Sequence, residues 1–446
     1  MKVLKGCKKL LMLLSVSALC AGLFAQQKND EKQVRMITLD EAVVLAADNN
    51  ISLKQQRISL DLLKKQKNSS WNSASPSFSL SGSYAGSVAG TNQAWSEGNQ
   101  SVNDPTLSAS ASVSIRLSPS LHTSIQSAKL AYEAGELSYE SLMRSIEKSV
   151  RASFYSLLYN KENILVQESA LASAKQTYDS NLAKYNQGRL SELELLNAQY
   201  NYERNLPAVE NLKQAYIISL DSFKQVLGLD LREEIDLEGS LEEAADVKIT
   251  EESIMIDLNE LPEIKTVLKN ISSAQNSLLA SRFSAYGPTL SASASANENI
   301  TNEMLSMSYS LGLSIPLDGY MPWSSGALSV ANQKANLEKL KLSLEDSKTS
   351  LAIKIRSSYN TIKQAQTQLD MYEKNVTLMQ RTYDMTLAAY NAGSKDLLSL
   401  QTAADNLAGA KNTLQNQRYT IISAILDLEN TLGVPFGTLG ENIEEN

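Results

Sequence analysis

Two periodicities run along the chain. Over residues 106–118, Leu107, Ala109, Ala111, Val113, Ile115 and Leu117 alternate with Ser108, Ser110, Ser112, Ser114, Arg116 and Ser118. Leu305, Met307, Tyr309, Leu311, Leu313 and Ile315 alternate in the same way with Ser306, Ser308, Ser310, Gly312 and Ser314. Two shorter runs repeat the pattern: Ser77, Ser79, Ser81 and Ser83 against Phe78, Leu80, Gly82 and Tyr84, and Ser291, Ser293 and Ser295 against Leu290, Ala292, Ala294 and Ala296. A period of two places one set on each face of a strand, so these runs predict four strands with one apolar and one small polar face.

The strands fall into two hairpins, with polar connections at residues 86–105 and 297–304. Each is about 9–12 residues long, enough to cross a bilayer at a tilt. A polar face of serine rather than Lys and Glu suits a water-filled lumen, although a half-exposed sheet on a soluble core has the same alternation. Four strands do not close, since the smallest barrels need about eight, and an open edge is not tolerated in lipid. A membrane reading therefore demands an oligomer. Two chains would give a filled eight-stranded barrel, and three would give twelve strands and a lumen.

The rest of the chain reads as helix and is written twice. At an offset of 205, residues 151–228 match residues 356–433 without a gap at 19 of 78 positions, including Tyr178/Tyr383, Tyr185/Tyr390, Gly188/Gly393 and Gly228/Gly433. Upstream the offset becomes 211–212, as in Leu60/Ile271 and Pro76/Pro288. Leu157, Ile164, Leu171, Tyr178 and Tyr185 fall at strict sevens, as do Ile362, Leu369, Val376, Tyr383 and Tyr390, a register for coiled-coil packing. The first long helix is predicted over residues 121–186, on the order of 100 Å. Gly188 and Gly393 close each long helix and turn the chain back. Pro207 is expected to kink the returning helix of the first copy, whereas its counterpart is Asn412.

Composition then sets the compartment. Lys2, Lys5, Lys8 and Lys9, an apolar run over residues 10–21 and Ala25 before a polar stretch have the form of a secretory leader. Cys20 is a candidate for lipidation, although Leu19 before it is bulky for such a cleavage box. Cys7 and Cys20 both fall within that leader, so a mature chain would hold no cysteine. Removing residues 1–25 takes away four lysines and no acid, which leaves 37 basic and 49 acidic residues and a charge of −12. Such a chain is a poor partner for nucleic acid. With His122 as the single imidazole and no Gly-rich phosphate loop, no catalytic, cofactor or metal site is expected. The carboxylate pairs Asp40/Glu41 and Glu192/Glu194 read as solvated helix faces.

The division that follows is a signal peptide at 1–25, an N-terminal tail at 26–37, and repeat one at 38–230 with strands at 75–118 and a helical hairpin at 121–228. An acidic linker at 231–261 leads to repeat two at 262–433, with strands at 288–316 and a hairpin at 325–432, and a tail at 434–446 ends the chain. The fold class is mainly α, with long antiparallel helical hairpins in coiled-coil register and four strands per chain for a shared membrane β-barrel; that the hairpins form a coiled-coil tunnel is what the resemblance given next implies.

The duplicated hairpins, the turn Tyr185-Asn186-Gln187-Gly188 with Leu193-Glu194-Leu195-Leu196-Asn197-Ala198, its partner from Tyr390 to Gly393 with Leu398, Leu400 and Ala403, and the opening Ile37-Thr38-Leu39-Asp40-Glu41-Ala42-Val43 resemble the TolC-like outer-membrane efflux protein family. The resemblance spans residues 38–433. It implies a homotrimer in outer-membrane lipid whose twelve-stranded barrel continues into a periplasmic tunnel. It also implies docking to a periplasmic adaptor (membrane fusion) protein and an inner-membrane RND or ABC transporter. On this likeness Tyr185, Gly188, Leu193, Leu195, Tyr390, Gly393, Leu398 and Leu400 are candidates for the docking tip. Glu194, Asn197, Lys395, Asp396, Ser399 and Thr402 are candidates for the aperture and its gate. Of the four positions six and nine residues past the two tip glycines only Glu194 is acidic, which puts a strongly cation-binding mouth in doubt. Without the resemblance, an exported coiled-coil structural or adhesin protein would account for the helices and leader.

Overall fold

The computed structural model describes residues 34–89, 101–247, 249–251, 254–300 and 303–439. The leader with Cys7 and Cys20, and Trp95, lie outside them. In chain order the elements are β1 (Arg35–Ile37), α1 (Leu39–Asn49), α2 (Ile51–Asn68), β2 (Ser77–Ala89), β3 (Ser101–Leu117), α3 (Ser120–Asn186) and α4 (Glu192–Leu227). They continue as β4 (Ile235–Leu237), α5 (Leu241–Ala245), α6 (Pro262–Tyr286), β5 (Thr289–Asn299), β6 (Met304–Ser314), α7 (Ser325–Asn391) and α8 (Leu397–Leu432).

The duplication is carried into the structure residue for residue. The helices α3 and α7 are each 67 residues long, α4 and α8 each 36, and all four ends are related by the offset of 205. At 1.5 Å per residue the long helices reach about 100 Å. No isolated helix of mean apolarity holds that length, so each leans on its returning partner through a narrow stripe: Leu157, Leu158 and Ala174 on α3, and Leu351, Ile355, Ile362 and Ala365 on α7, are buried. α4 runs through Pro207 without interruption. Pro207 and Glu203, whose carbonyl loses its helical donor, are both exposed, so water can meet the orphan oxygen.

The densest packing lies near the middle of the long helices. Here β1 pairs in parallel with β4, Arg35 against Ile235 through Ile37 against Leu237. The small sheet covers Val150, Phe154, Leu157, Phe223 and Leu227. Three-residue strands carry no readable period, which is why residues 35–37 look like tail in the sequence. The C-terminal segment is also docked: Phe436 and Leu439 are buried, and the Arg144 guanidinium donates to the carbonyls of Gly433 and Val434.

Two buried ionisable groups hold the segments that leave the returning helices. Lys224 donates to the carbonyl of Leu231 (3.2 Å) and to Asp221 (3.2 Å). Its repeat equivalent Glu429 does the reverse, accepting from the backbone N–H of Gly437 (2.7 Å) and Leu439 (3.4 Å). Burial pushes the Glu429 carboxyl above the usual carboxylate range, against the pull of those amides and of Arg151. A raised value means that the folded chain binds this proton more tightly than the unfolded chain. Its stabilisation is complete below the ordinary glutamate pKa and lost as pH rises through the raised one. Loss of stability with rising pH is therefore expected of the wild type over that window, and Glu429→Gln should flatten it, as measured by denaturant midpoints of the two proteins across pH.

At one end of the long helices, β2, β3, β5 and β6 form an antiparallel sheet in the order β2-β3-β5-β6. The first hairpin outruns its serine stripe: β2 is 13 and β3 17 residues long, so residues 86–89 and 101–105 are strand and not loop. The register shifts between Ala85 and Ser87, and pairing resumes at Ser87 with Asn103. A bulge displaces the alternation without ending the ladder, which hides the continuation from a period-two reading.

Candidate functional site

Two regions can act on a solute: the sheet at one end and the helical turns at the other. On the sheet, the register stacks serine on serine. Hydroxyl pairs join Ser77 to Ser114 (2.7 Å), Ser79 to Ser112 (2.6 Å), Ser81 to Ser110 (2.7 Å) and Ser83 to Ser108 (2.8 Å) across β2 and β3. Ser293 to Ser310 (2.7 Å) and Ser295 to Ser308 (2.8 Å) do the same across β5 and β6. Between the hairpins Ser112 faces Ser295 and Ser114 faces Ser293, so one polar ladder crosses all four strands. The opposite face is bare hydrocarbon, with Leu80 82% and Tyr309 92% exposed and Phe78, Met307, Leu311 and Leu313 equally uncovered. Trp71 and Trp323, also exposed, flank the sheet where it meets the helices. Among the described residues no helix is long and apolar enough to cross a membrane.

At the far end, both turns have one geometry. Gly188 (φ 71°) and Gly393 (φ 77°) take the left-handed conformation, where an added Cβ would be strained although the space around it is open. Arg189 N–H reaches back to the Lys184 carbonyl and Ser394 N–H to that of Ala389, each at 2.9 Å. This six-to-one bond satisfies carbonyls that the helix end orphans.

The next helix starts with a carboxylate in each copy, on interchanged positions. In α4 the cap is Ser191, whose hydroxyl accepts from Glu194 N–H (3.3 Å), while the Glu194 carboxylate turns back to Ser191 N–H (3.4 Å) and its hydroxyl (3.1 Å). In α8 the cap is Asp396, which accepts from Ser399 N–H (3.0 Å). Hydrogen bonding from Ser399 holds the Asp396 carboxyl below its ordinary value, and both carboxylates sit at the positive end of a helix dipole. The two aperture candidates Glu194 and Asp396 are thus occupied as helix caps. The capping pattern Ser191-x-x-Glu194 is legible in the sequence.

Among the other candidates, Leu400 is buried, Leu195 half-buried, and Leu193 and Leu398 exposed, while Asn197, Lys395 and Thr402 face solvent. Thr402 donates its hydroxyl to the Leu398 carbonyl (2.8 Å). Tyr185 is exposed and Tyr390 half-buried. Tyr390 donates its hydroxyl to Asn181 Oδ1 (2.7 Å), and Lys184 Nζ lies 5.2 Å from the Tyr390 ring centre. Burial raises the Tyr390 phenol above its usual value, with the Glu194 charge adding to it. Asn181 is fully buried, and its Nδ2 has no partner. Sequence reasoning missed it, because its repeat equivalent is Thr386 and nothing local marks it. This is a direct polar tie between the tips of the two copies, α3 to α7.

A sequence profile of the outer membrane efflux protein family matches residues 42–229 and 258–434. The chain belongs to this family. It is 23% identical over 410 residues to the Toxin and drug export protein A of Aggregatibacter actinomycetemcomitans, covering 89% of this chain and 86% of that protein. It is 30% identical over 90 residues to the Outer membrane protein TolC of Salmonella enteritidis, a stretch that covers 20% of this chain and 18% of TolC. Among solved structures, the CmeC outer membrane channel of Campylobacter jejuni superposes with a TM-score of 0.70 at 19% identity, covering 89% of this chain and 85% of that one.

The tie generates a prediction. Tyr390→Phe leaves the buried Asn181 amide with no partner on either end, at a cost of about 1–3 kcal/mol. Backbone hydrogen exchange at residues 184–191 and 389–396 should quicken, and Asn181→Leu in the same chain should restore part of the protection. Unchanged exchange in Tyr390→Phe would mean that the tie does not hold the tips together.

Proposed function

We propose that the chain is the outer-membrane exit duct of a tripartite efflux or type I secretion system. Three copies would share a twelve-stranded barrel and continue it as a helical tunnel through the periplasm. The observation that carries this reading is the two-faced sheet with two open edges, mounted on helices about 100 Å long. The unpaired edges of β2 and β6 can be satisfied in lipid only by the edges of further copies, and the bare face of Phe78, Leu80 and Tyr309 then faces acyl chains. Trp71 and Trp323 at the base of the sheet fit an interfacial aromatic girdle. A depression of about 750 Å³, lined chiefly by Phe78, Leu80, Val113, Met307 and Tyr309, lies on the apolar side and belongs to lipid rather than solute.

The duplication supports the same assembly. On α3, Thr123 (2% exposed) and Leu130 (7%) are covered where α6 packs, with Lys269 bonded to Glu133 (2.5 Å) and Asn276 Nδ2 to the Thr123 carbonyl (2.9 Å). The equivalent line on α7 is Leu328, Ala335 and Leu342, and it is bare, with Leu328 60% and Leu342 68% exposed. The element related to α6 is α2, whose Ile51, Ile58 and Leu62 are bare as well. Packing α2 of one copy on α7 of the next repeats between subunits what α6 and α3 do within one. A heterologous contact of this kind closes into a ring when the rotation from copy to copy divides a full turn, as a third of a turn does in a trimer.

In this duct the chain carries no chemistry. An inner-membrane RND or ABC transporter supplies the energy, a periplasmic adaptor grips the tips around Tyr185, Gly188, Leu193, Leu195, Tyr390, Gly393, Leu398 and Leu400, and gating loosens the neighbourhood of Glu194, Asn197, Lys395, Asp396, Ser399 and Thr402. Native mass spectrometry after mild-detergent extraction of envelopes is expected to give a trimer found only in the outer-membrane fraction. A monomer or dimer that stays soluble without detergent would favour an exported coiled-coil protein and overturn the duct. Gly188→Pro with Gly393→Pro cannot keep a positive φ, and should abolish export while leaving the trimer intact; export that persists would remove the tips from docking.

A further inference from the structure

The serine face carries one charged side chain among those described. Arg116 stands on β3 opposite Ser291 of β5, in line with Ser108, Ser110, Ser112 and Ser114 and one residue short of the strand's end at Leu117. Its guanidinium is exposed and forms no salt bridge among the described residues. The rows on either side are neutral: Ser114 beside Ser293, and Thr289 beside Ser314. On β6 the row of Arg116 holds Gly312, which has no side chain to fill the space. The serine hydroxyls above are already spent on one another. A solute passing here meets a neutral, self-satisfied wall interrupted by one cation.

We propose that Arg116 and its copies in the trimer form a cationic collar where the barrel lumen meets the helical tunnel, favouring solutes that carry carboxylate, phosphate or sulfate groups. The inference rests on the duct reading above, which turns the serine face inward. Guanidinium holds its charge at every physiological pH and presents paired donors suited to such oxyanions. A ring of like charges in a low-dielectric wall raises the local concentration of the opposite sign. The collar thereby gives a chain of net negative charge a lumen of opposite preference at this level.

The test uses the absence of cysteine in a chain whose leader has been removed. Ser114→Cys places a thiol one repeat along the same face, about 7 Å from Arg116. In intact cells or proteoliposomes, its rates of modification by anionic and cationic methanethiosulfonate reagents are compared with Arg116 present, as Arg116→Ser, and as Arg116→Glu. At 0.1 M salt the anionic-to-cationic rate ratio should fall about threefold from Arg to Ser and again by a similar factor to Glu, and the difference should fade near 1 M salt. Arg116→Lys should keep most of the wild-type ratio. Equal ratios in all variants would overturn the collar while leaving the duct intact. A thiol at Ser114→Cys that neither reagent reaches, with a reactive Val113→Cys on the opposite face, would instead overturn the inward-facing serines and the duct with them.

Discussion

A strand in lipid cannot leave its edge amides and carbonyls unpaired, and this single constraint organises the molecule. The chain supplies four strands, too few to close. Every larger feature answers that shortfall: the open edges at β2 and β6, the sheet's one greasy and one hydroxylated face, and the bare apolar lines on α2 and α7 that wait for a neighbour. A four-stranded sheet of this length exposed alone would be an aggregation hazard. In the assembly proposed above, mounting it on long helical hairpins would let the helices, which pack in water, hold the copies in register while the strands pair.

The duplication shows which parts of the design are geometric and which are chemical. The lengths and ends of the four long helices are equal to the residue, so the hairpin is retained as a shape. The chemistry at equivalent points is free to change sign or place. Lys224 donates to a carbonyl where Glu429 accepts from amides, and the helix-capping carboxylate moves from the third helical residue, Glu194, to the cap itself, Asp396. In each case what is kept is the satisfaction of backbone groups at a helix end, and either charge can do that. The scarcity of acids at the positions six and nine past the tip glycines follows: the carboxylate at the second tip serves as the cap instead.

How much of this the sequence disclosed depends on whether the physics was local. The four strands were legible because serine and hydrocarbon alternate over whole strands, and the helices because the heptads at Tyr178, Tyr185, Tyr383 and Tyr390 and the offset of 205 are long-range but regular. Short-range irregularity hid the rest. A bulge at Ala85/Ser87 disguised the ends of β2 and β3, β1 and β4 are too short for any period, and Pro207 stands in an unbroken helix because both it and the carbonyl it orphans are in water. Asn181 was invisible for another reason: its burial and its bond to Tyr390 arise only when the two hairpins lie side by side.

A passive duct has to pass solutes without holding them, and the serine face, which lines the lumen in the assembly proposed above, suits that task. A serine hydroxyl in isolation would bind water or cargo, but here six cross-strand pairs hold their hydroxyls within 2.6–2.8 Å of each other, and Ser291 and Ser306 turn to carbonyls of the neighbouring strand. The wall is polar enough to stay wet and has few free donors or acceptors. Selectivity must then come from charge at a small number of places, where Coulomb forces reach a solute across water in a way that hydrogen bonds cannot. The chain puts carboxylates at the tips, tied into helix caps, and on the serine face Arg116 is the one charged side chain among those described, at the helix-proximal end of β3. In the proposed duct these opposite charges would lie at opposite ends of the helices rather than at one level, so that a solute drawn in by one sign would not meet a second attraction of the same kind beside it.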